Sequence, residues 1–147
     1  MYLTGIKDKE GRPVFWIRIQ MFDKVSGRPL RESHKKYITY LMEKQDKITS
    51  HEGWVSVTDM SNATMVNIDI DFIYYFIKIL ETYYPRGPKR DIILELPKTS
   101  IINEAAQLVL SYMGKEMKEK TLFITTEELN KYFDDQNIPA YVKQKKS

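Results

Sequence analysis

The stretch Trp54-Val55-Ser56-Val57-Thr58-Asp59-Met60-Ser61 opens the part of the chain whose reading decides the fold. It interleaves aromatic and β-branched residues with small polar ones and runs into Asp and Ser, a pattern that predicts a strand entering a turn. After a loop over 61–67, residues 69–83 follow a helical period. Ile70, Ile73, Ile77 and Leu80 form one apolar stripe, and Phe72, Phe76, Ile79 and Tyr83 form a second. Asp71, Tyr75, Lys78 and Thr82 leave only a narrow polar edge, so this helix needs cover on two sides.

The pattern continues downstream. Tyr84-Pro85-Arg86-Gly87-Pro88 stops the helix, and 91–96 reads as a strand ended by Pro97. Ser100 is the expected N-cap of a helix over 101–113, with one row of Ile101, Ala105, Leu108 and Tyr112 and another of Ile102, Ala106, Val109 and Met113. Residues 121–124 read as a further strand. Thr125 and Glu128 have capping-box spacing and open a helix to about Phe133, and Ile138-Pro139 closes the ordered part.

Upstream, Gly5 to Pro13 is polar, with Gly and Pro, and reads as a turn. A strand over 14–20 has apolar residues on both faces, which marks it as covered. Ser26-Gly27-Arg28-Pro29 is a second turn. A helix over 30–47 carries an apolar stripe of Tyr37, Ile38, Leu41 and Met42. Strands and helices thus alternate, which predicts an α/β fold: a largely parallel sheet floor with crossover helices.

Composition narrows the chemistry. The 147 residues suit one domain, read as 1–142 with a basic tail, 143–147. Ten Tyr and six Phe supply large rings, and there is no Cys, so disulfides and thiolate chemistry are excluded. The longest unbroken apolar run, Phe72 to Ile77, is far short of the ~20 residues a membrane helix needs. No signal pattern follows Met1. The +3 net charge sits partly in Lys143, Lys145 and Lys146, and no aromatic-basic motif joins it to suggest nucleic acid.

Catalytic signals are sparse. His34 and His51 are expected to be ordinary surface residues, and neither has metal-ligand spacing. No phosphate-cradling glycine motif or nucleophile elbow occurs. Asp59, at a strand C-terminus, is the most catalytic-looking carboxylate, but the preferred reading is that it accepts backbone N–H bonds from its own loop. Glu95, in an apolar strand, must either point out at an edge or find a buried donor. No catalytic residue, metal ligand or cofactor is predicted, and the chain is expected not to be an enzyme. The two apolar helices remain as the functional clue: they either pack as core or line a cavity for an apolar ligand.

The order of segments resembles the CRAL-TRIO (Sec14-like) family. The residues that carry the likeness are the Asp59-Met60-Ser61 strand end, the helix closing on Tyr83-Tyr84-Pro85, and the strand ended by Pro97. To these are added the apolar helix, the strand after Lys118-Glu119-Lys120, and Leu129 with Ile138-Pro139. Tyr2-Leu3-Thr4-Gly5, Asp8-Lys9-Glu10-Gly11, Phe15-Trp16-Ile17-Arg18 and Asn67 to Phe72 look similar to the CRAL-TRIO domain of motile sperm domain-containing proteins. The departures are Glu95-Leu96-Pro97 where the family usually has Asn-x-Pro, Lys98 where an aromatic often follows, no terminal Gly-Gly, and no counterpart of the N-terminal helical lobe.

The resemblance implies a pocket between the sheet and a gate-like helix, 101–113, holding one lipid or other lipophilic molecule. By that likeness Phe76, Ile79, Leu80, Tyr84, Ile93, Ile101, Ala105, Leu108 and Val109 would meet the ligand. Lys89, Lys118 and Lys120 would engage an anionic head group or membrane surface. It also implies a cytoplasmic protein, peripheral to membranes, with a second copy of the chain as one candidate to cover exposed apolar surface. The alternative is a protein-interaction module of the same fold without a functional pocket.

Overall fold

Five strands form one sheet in the order β1-β2-β3-β4-β5. They are β1 (Tyr2–Lys7), β2 (Pro13–Arg18), β3 (Trp54–Asp59), β4 (Pro88–Leu94) and β5 (Thr121–Ile124). In this computed structural model residues 2–21, 28–65 and 67–144 are described; Ser26 and Gly27 of the second expected turn and tail residues 145–147 lie outside them. Strands β2 to β5 are parallel, and β1 pairs antiparallel with β2. Helices α1 (Arg28–Ile48), α2 (Ile70–Tyr83), α3 (Ser100–Tyr112) and α4 (Lys115–Lys120) make the crossovers, and α5 (Ala140–Gln144) ends the described chain. Each crossover advances one strand in the same direction. A fixed crossover hand then puts every crossover helix on one face of the sheet.

The strand period of two sorts the side chains. Val14, Trp16, Val55, Val57, Ile92, Leu94 and Ile124 point to the back, where Leu129, Phe133, Ile138 and Val142 cover them. Phe15, Ile17 and Trp54 point to the front and meet Ile38 and Met42 of α1, Leu80 of α2 and Met117 of α4. Both faces are covered, as a parallel sheet requires.

Several sequence expectations are corrected. The polar Gly5–Pro13 segment is not all turn: residues up to Lys7 belong to β1, with a register shift between Leu3 and Ile6 and Gly5 at φ +83°. Only 8–12 turns, held by the Asp8 carboxylate, which accepts from the backbone N–H groups of Glu10 and Arg12. On α1 Ile38, Met42 and Gln45 are buried and Leu41 packs against the same cluster, while Tyr37 is 52% exposed. Tyr83, at the end of the second α2 stripe, is 72% exposed. Thr99 rather than Ser100 caps α3, its hydroxyl accepting from Ile102 N. The strand expected at 91–96 starts at Pro88 and stops at Leu94, because Glu95 turns the backbone to φ +54°. Glu95 has a donor, the Thr126 N–H at 2.6 Å. The short charged helix α4 has no apolar repeat to mark it in the sequence; buried Met117 anchors it. The Thr125–Glu128 capping box is present, but it opens a 3-10 helix, Thr126–Lys131. Order continues past Pro139, with Val142 in the back core.

Two local devices hold the layers. Gly53, at φ +96°, lets the chain pass beside the 86–87 backbone: a Cβ there would sit 2.1 Å from the Arg86 carbonyl oxygen. At the back, Trp16 Nε1 donates to Tyr141 Oη at 2.7 Å, and Tyr141 Oη donates to Asp59 Oδ2 at 2.5 Å. The Arg18 guanidinium lies 4.0 Å from the Tyr141 ring centroid. Burial, then the Asp59 carboxylate, pushes the Tyr141 phenol well above its ordinary value. Asp59 Oδ1 accepts from both the N–H and the hydroxyl of Ser61, so this carboxylate is fully engaged in holding structure.

One front row of the sheet departs from the apolar rule. Cross-strand pairing puts Ser56, Asp91 and Thr121 side by side. Asp91 is 9% exposed, and burial raises its carboxyl from 3.8 to about 6.

Two outcomes are expected. Tyr141→Phe leaves Trp16 Nε1 and Asp59 Oδ2 each short of a partner and should destabilise the fold by about 1–3 kcal/mol in urea unfolding. For Asp91 the native state binds more protons than the unfolded chain between about pH 3.8 and about 6, so this carboxyl lowers stability as pH rises through that window. Asp91→Asn should therefore gain on the parent protein from pH 4 to 7, by up to about 3 kcal/mol, with no further gain above. A difference that is flat with pH would show that Asp91 titrates as in the unfolded chain.

Candidate functional site

Helix α2 lies between α1 and α3, and its apolar circumference has a partner on each side. Beneath it, over the front of β3 to β5, is a cavity of about 160 Å³. Its floor is Thr58, Asp91, Ile93, Thr121 and Phe123. Its walls are Phe72, Ile73, Phe76, Ile77 and Leu80 of α2 and Ile102, Ala105, Ala106, Val109 and Leu110 of α3. Met113 and Met117 close the end nearest α4. His34, Asn67 and Asp69 lie at the other rim, where Asp69 also caps α2 by accepting from Phe72 N. The lining is almost wholly apolar, as suits a site for a lipophilic ligand.

Of the residues expected to meet ligand, Phe76, Leu80, Ile93, Ala105 and Val109 line this cavity. Ile79, Tyr84, Ile101 and Leu108 do not. Ile79 packs in the front core. Tyr84 is buried against Trp54, edge to face at 6.1 Å, and donates to Glu43 Oε1 at 2.6 Å. Ile101 and Leu108 face outward on α3, 59% and 45% exposed. Either α3 row could have faced the sheet on periodicity alone. The structure turns the Ile102, Ala106, Val109 and Met113 row inward, together with Ala105.

Sequence reasoning missed Asp91 and Thr121 as lining residues. The signal was available for Asp91: it is two residues from Ile93 on one strand and must share its face. His34, expected at the surface, is half-buried and stacked on Phe72 with ring centroids 4.2 Å apart; burial lowers its pKa.

Of the expected lysines, Lys120 lines a second groove of about 260 Å³, together with Tyr84, Pro85, Pro88, Lys115, Glu81 and Glu116. Lys89 follows Pro88 and is exposed, as is Lys118. Leu80 and Met117 line both this groove and the apolar cavity, so these two side chains are the partition between them. Among the described residues no cluster of His, Asp or Glu could hold a metal ion, and no helix is long and apolar enough to cross a membrane.

Comparison with known proteins agrees with this architecture. The CRAL-TRIO domain-containing protein C365.01 of Schizosaccharomyces pombe is 24% identical over 145 residues, covering 95% of this chain and 41% of that protein. The chain therefore spans about two fifths of the length of that curated relative. The crystal structure of Sfh5 superposes with a TM-score of 0.68 at 16% identity, covering 99% of this chain and 63% of the Sfh5 chain, a likeness of fold. The sequence profile of the CRAL/TRIO domain matches residues 1–143. With nearly the whole chain inside that profile, and a mostly parallel sheet floor under its helices, the chain belongs to the CRAL/TRIO domain family, whose members bind and transfer lipophilic ligands.

Proposed function

We propose that the chain holds a single lipid or other lipophilic molecule between the sheet and helices α2 and α3. On this reading Lys89, Lys118 and Lys120 meet an anionic head group or the surface of a membrane the protein contacts peripherally. The observation that carries the proposal is the apolar cavity itself, walled by Phe76, Leu80, Ala106 and Val109 over Ile93. Its size sets a condition. At about 160 Å³ it matches cavities that hold benzene rather than the 300–1,000 Å³ of ordinary small-molecule sites, so a lipid enters only if α3 moves outward. Two features favour that movement: the inward row of α3 is built partly of small residues, Ala105 and Ala106, and its outer row, Ile101 and Leu108, meets no core.

The likeness of residues 2–18 and 67–72 to the CRAL-TRIO domain of motile sperm domain-containing proteins belongs to the same reading. A second reading, a protein-interaction module, is favoured by the small cavity and by the exposed Ile101 and Leu108.

Native mass spectrometry after exposure to mixed liposomes separates the two. A one-to-one lipid adduct is expected. Ala106→Trp, which fills the cavity, should cut the adduct at least tenfold while leaving the thermal midpoint within a few degrees. No adduct from any liposome mixture would favour the interaction module. The lysines are tested apart from the cavity. Charge reversal at both Lys118 and Lys120 should weaken binding to anionic liposomes by about thirtyfold or more, since each basic residue near such a surface contributes about 1 kcal/mol and reversal adds repulsion. Lys118 is exposed and Lys120 partly exposed at the groove, so stability should be nearly unchanged; an equal loss of stability would make them structural.

A further inference from the structure

Asp91 is the one acidic side chain on the sheet floor of the apolar cavity, and among the described residues no cation pairs with it. Its hydrogen-bond partner is Thr121, whose Oγ1 lies 3.3 Å from Asp91 Oδ2. That hydroxyl has one hydrogen to give. The Met117 carbonyl oxygen, at 2.8 Å, is better placed to take it, and Met113 Sδ lies 3.7 Å away. Asp91 is thus a nine-tenths buried carboxyl, on the wall of a cavity, whose one protein donor is a shared hydroxyl. A buried, unsatisfied carboxylate is costly, and a hydrogen-bond donor brought by a ligand removes that cost. Ser56, the neighbouring residue on β3, accepts from Trp54 Nε1 at 3.3 Å and makes no hydrogen bond to Asp91.

We infer that the cavity selects a lipophilic molecule whose buried polar end is a hydrogen-bond donor, an alcohol or an amine, received by Asp91 between Thr121 and Met117. This rests on the proposed lipid-binding role and refines it. The donor end lies against β4 and β5, and the apolar body extends under Phe76 and Val109 toward the rim at His34. A ligand that buries a carboxylate at this point meets a like charge and is refused. The raised pKa of Asp91, about 6, fits a carboxyl short of donors and still leaves it largely ionised at pH 7.5.

The test compares three probes of one chain length, decanol, decylamine and decanoate, at pH 7.5, by competition with a fluorescent apolar dye. The parent protein should bind decanol, decylamine or both at least tenfold more tightly than decanoate. In Asp91→Val the preference over decanoate should shrink at least tenfold, because both the acceptor and the like charge are gone, although neutral decanol keeps the advantage of an uncharged head. In Asp91→Asn decylamine should lose tenfold or more, if the amine is the preferred donor, while decanol changes less than threefold. Both variants remove a buried charge, and thermal melting checks that they fold. Equal binding of all three probes by the parent protein, a preference for decanoate, or a preference that survives undiminished in Asp91→Val would overturn the inference and leave the cavity as a general apolar site. Failure of the dye and every probe to bind the parent protein would instead remove the lipid-binding role, and this inference with it.

Discussion

The hydrogen-bonded series from Trp16 through Tyr141 to Asp59 is the constraint on which the arrangement depends. It joins β2 and β3 to the last turn of chain. That turn draws Val142 onto the back of the sheet, beside the Leu129, Phe133 and Ile138 that precede it. A parallel sheet with an open face would expose a row of Val, Ile and Leu to water. With the back sealed by the C-terminal segment, the cavity lies on the front.

The front is sealed less completely, and the reason lies in α3. Its inward row includes Ala105 and Ala106, which are too short to reach the floor at Ile93. Leucines there would turn the cavity into core. The front cover is also divided: α1 packs through Ile38 and Met42, α2 through Leu80 and α4 through Met117, while α3 lies beside α2. The partition made by Leu80 and Met117 places an apolar compartment and a lysine-bearing groove back to back. An amphiphile needs both environments.

Asp59 and Asp91 show how position decides what a carboxylate does. Both are buried on adjacent strands. Asp59, at the end of β3 on the back face, is met by Tyr141 and by two donors from Ser61. Asp91, in mid-strand on the front face, has the shared hydroxyl of Thr121. The first carboxylate holds the fold together, and the second leaves hydrogen-bonding capacity facing a cavity.

Much of this was legible in the chain order. β3, α2, α3 and β5 could be read from period and punctuation, because each has a clean apolar repeat bounded by Pro, Gly or a capping residue. β1 and α4 could not. Gly5 and the charged tail of β1 look like loop, and Lys115 to Lys120 has one apolar residue; both elements exist because neighbouring backbone and the Met117 pocket recruit them. For the cavity, periodicity determined that α2 needs cover on two sides and that α3 has two apolar rows. It did not determine which α3 row turns inward, nor that Tyr84 is held away by Trp54 and Glu43. Only packing decided those points, because a repeat specifies the angular spacing of side chains around one helix and not that helix's rotation against the rest of the molecule. The order of segments from Trp54 to Tyr141 therefore carried the fold, and the tertiary structure decided which of their side chains face the cavity.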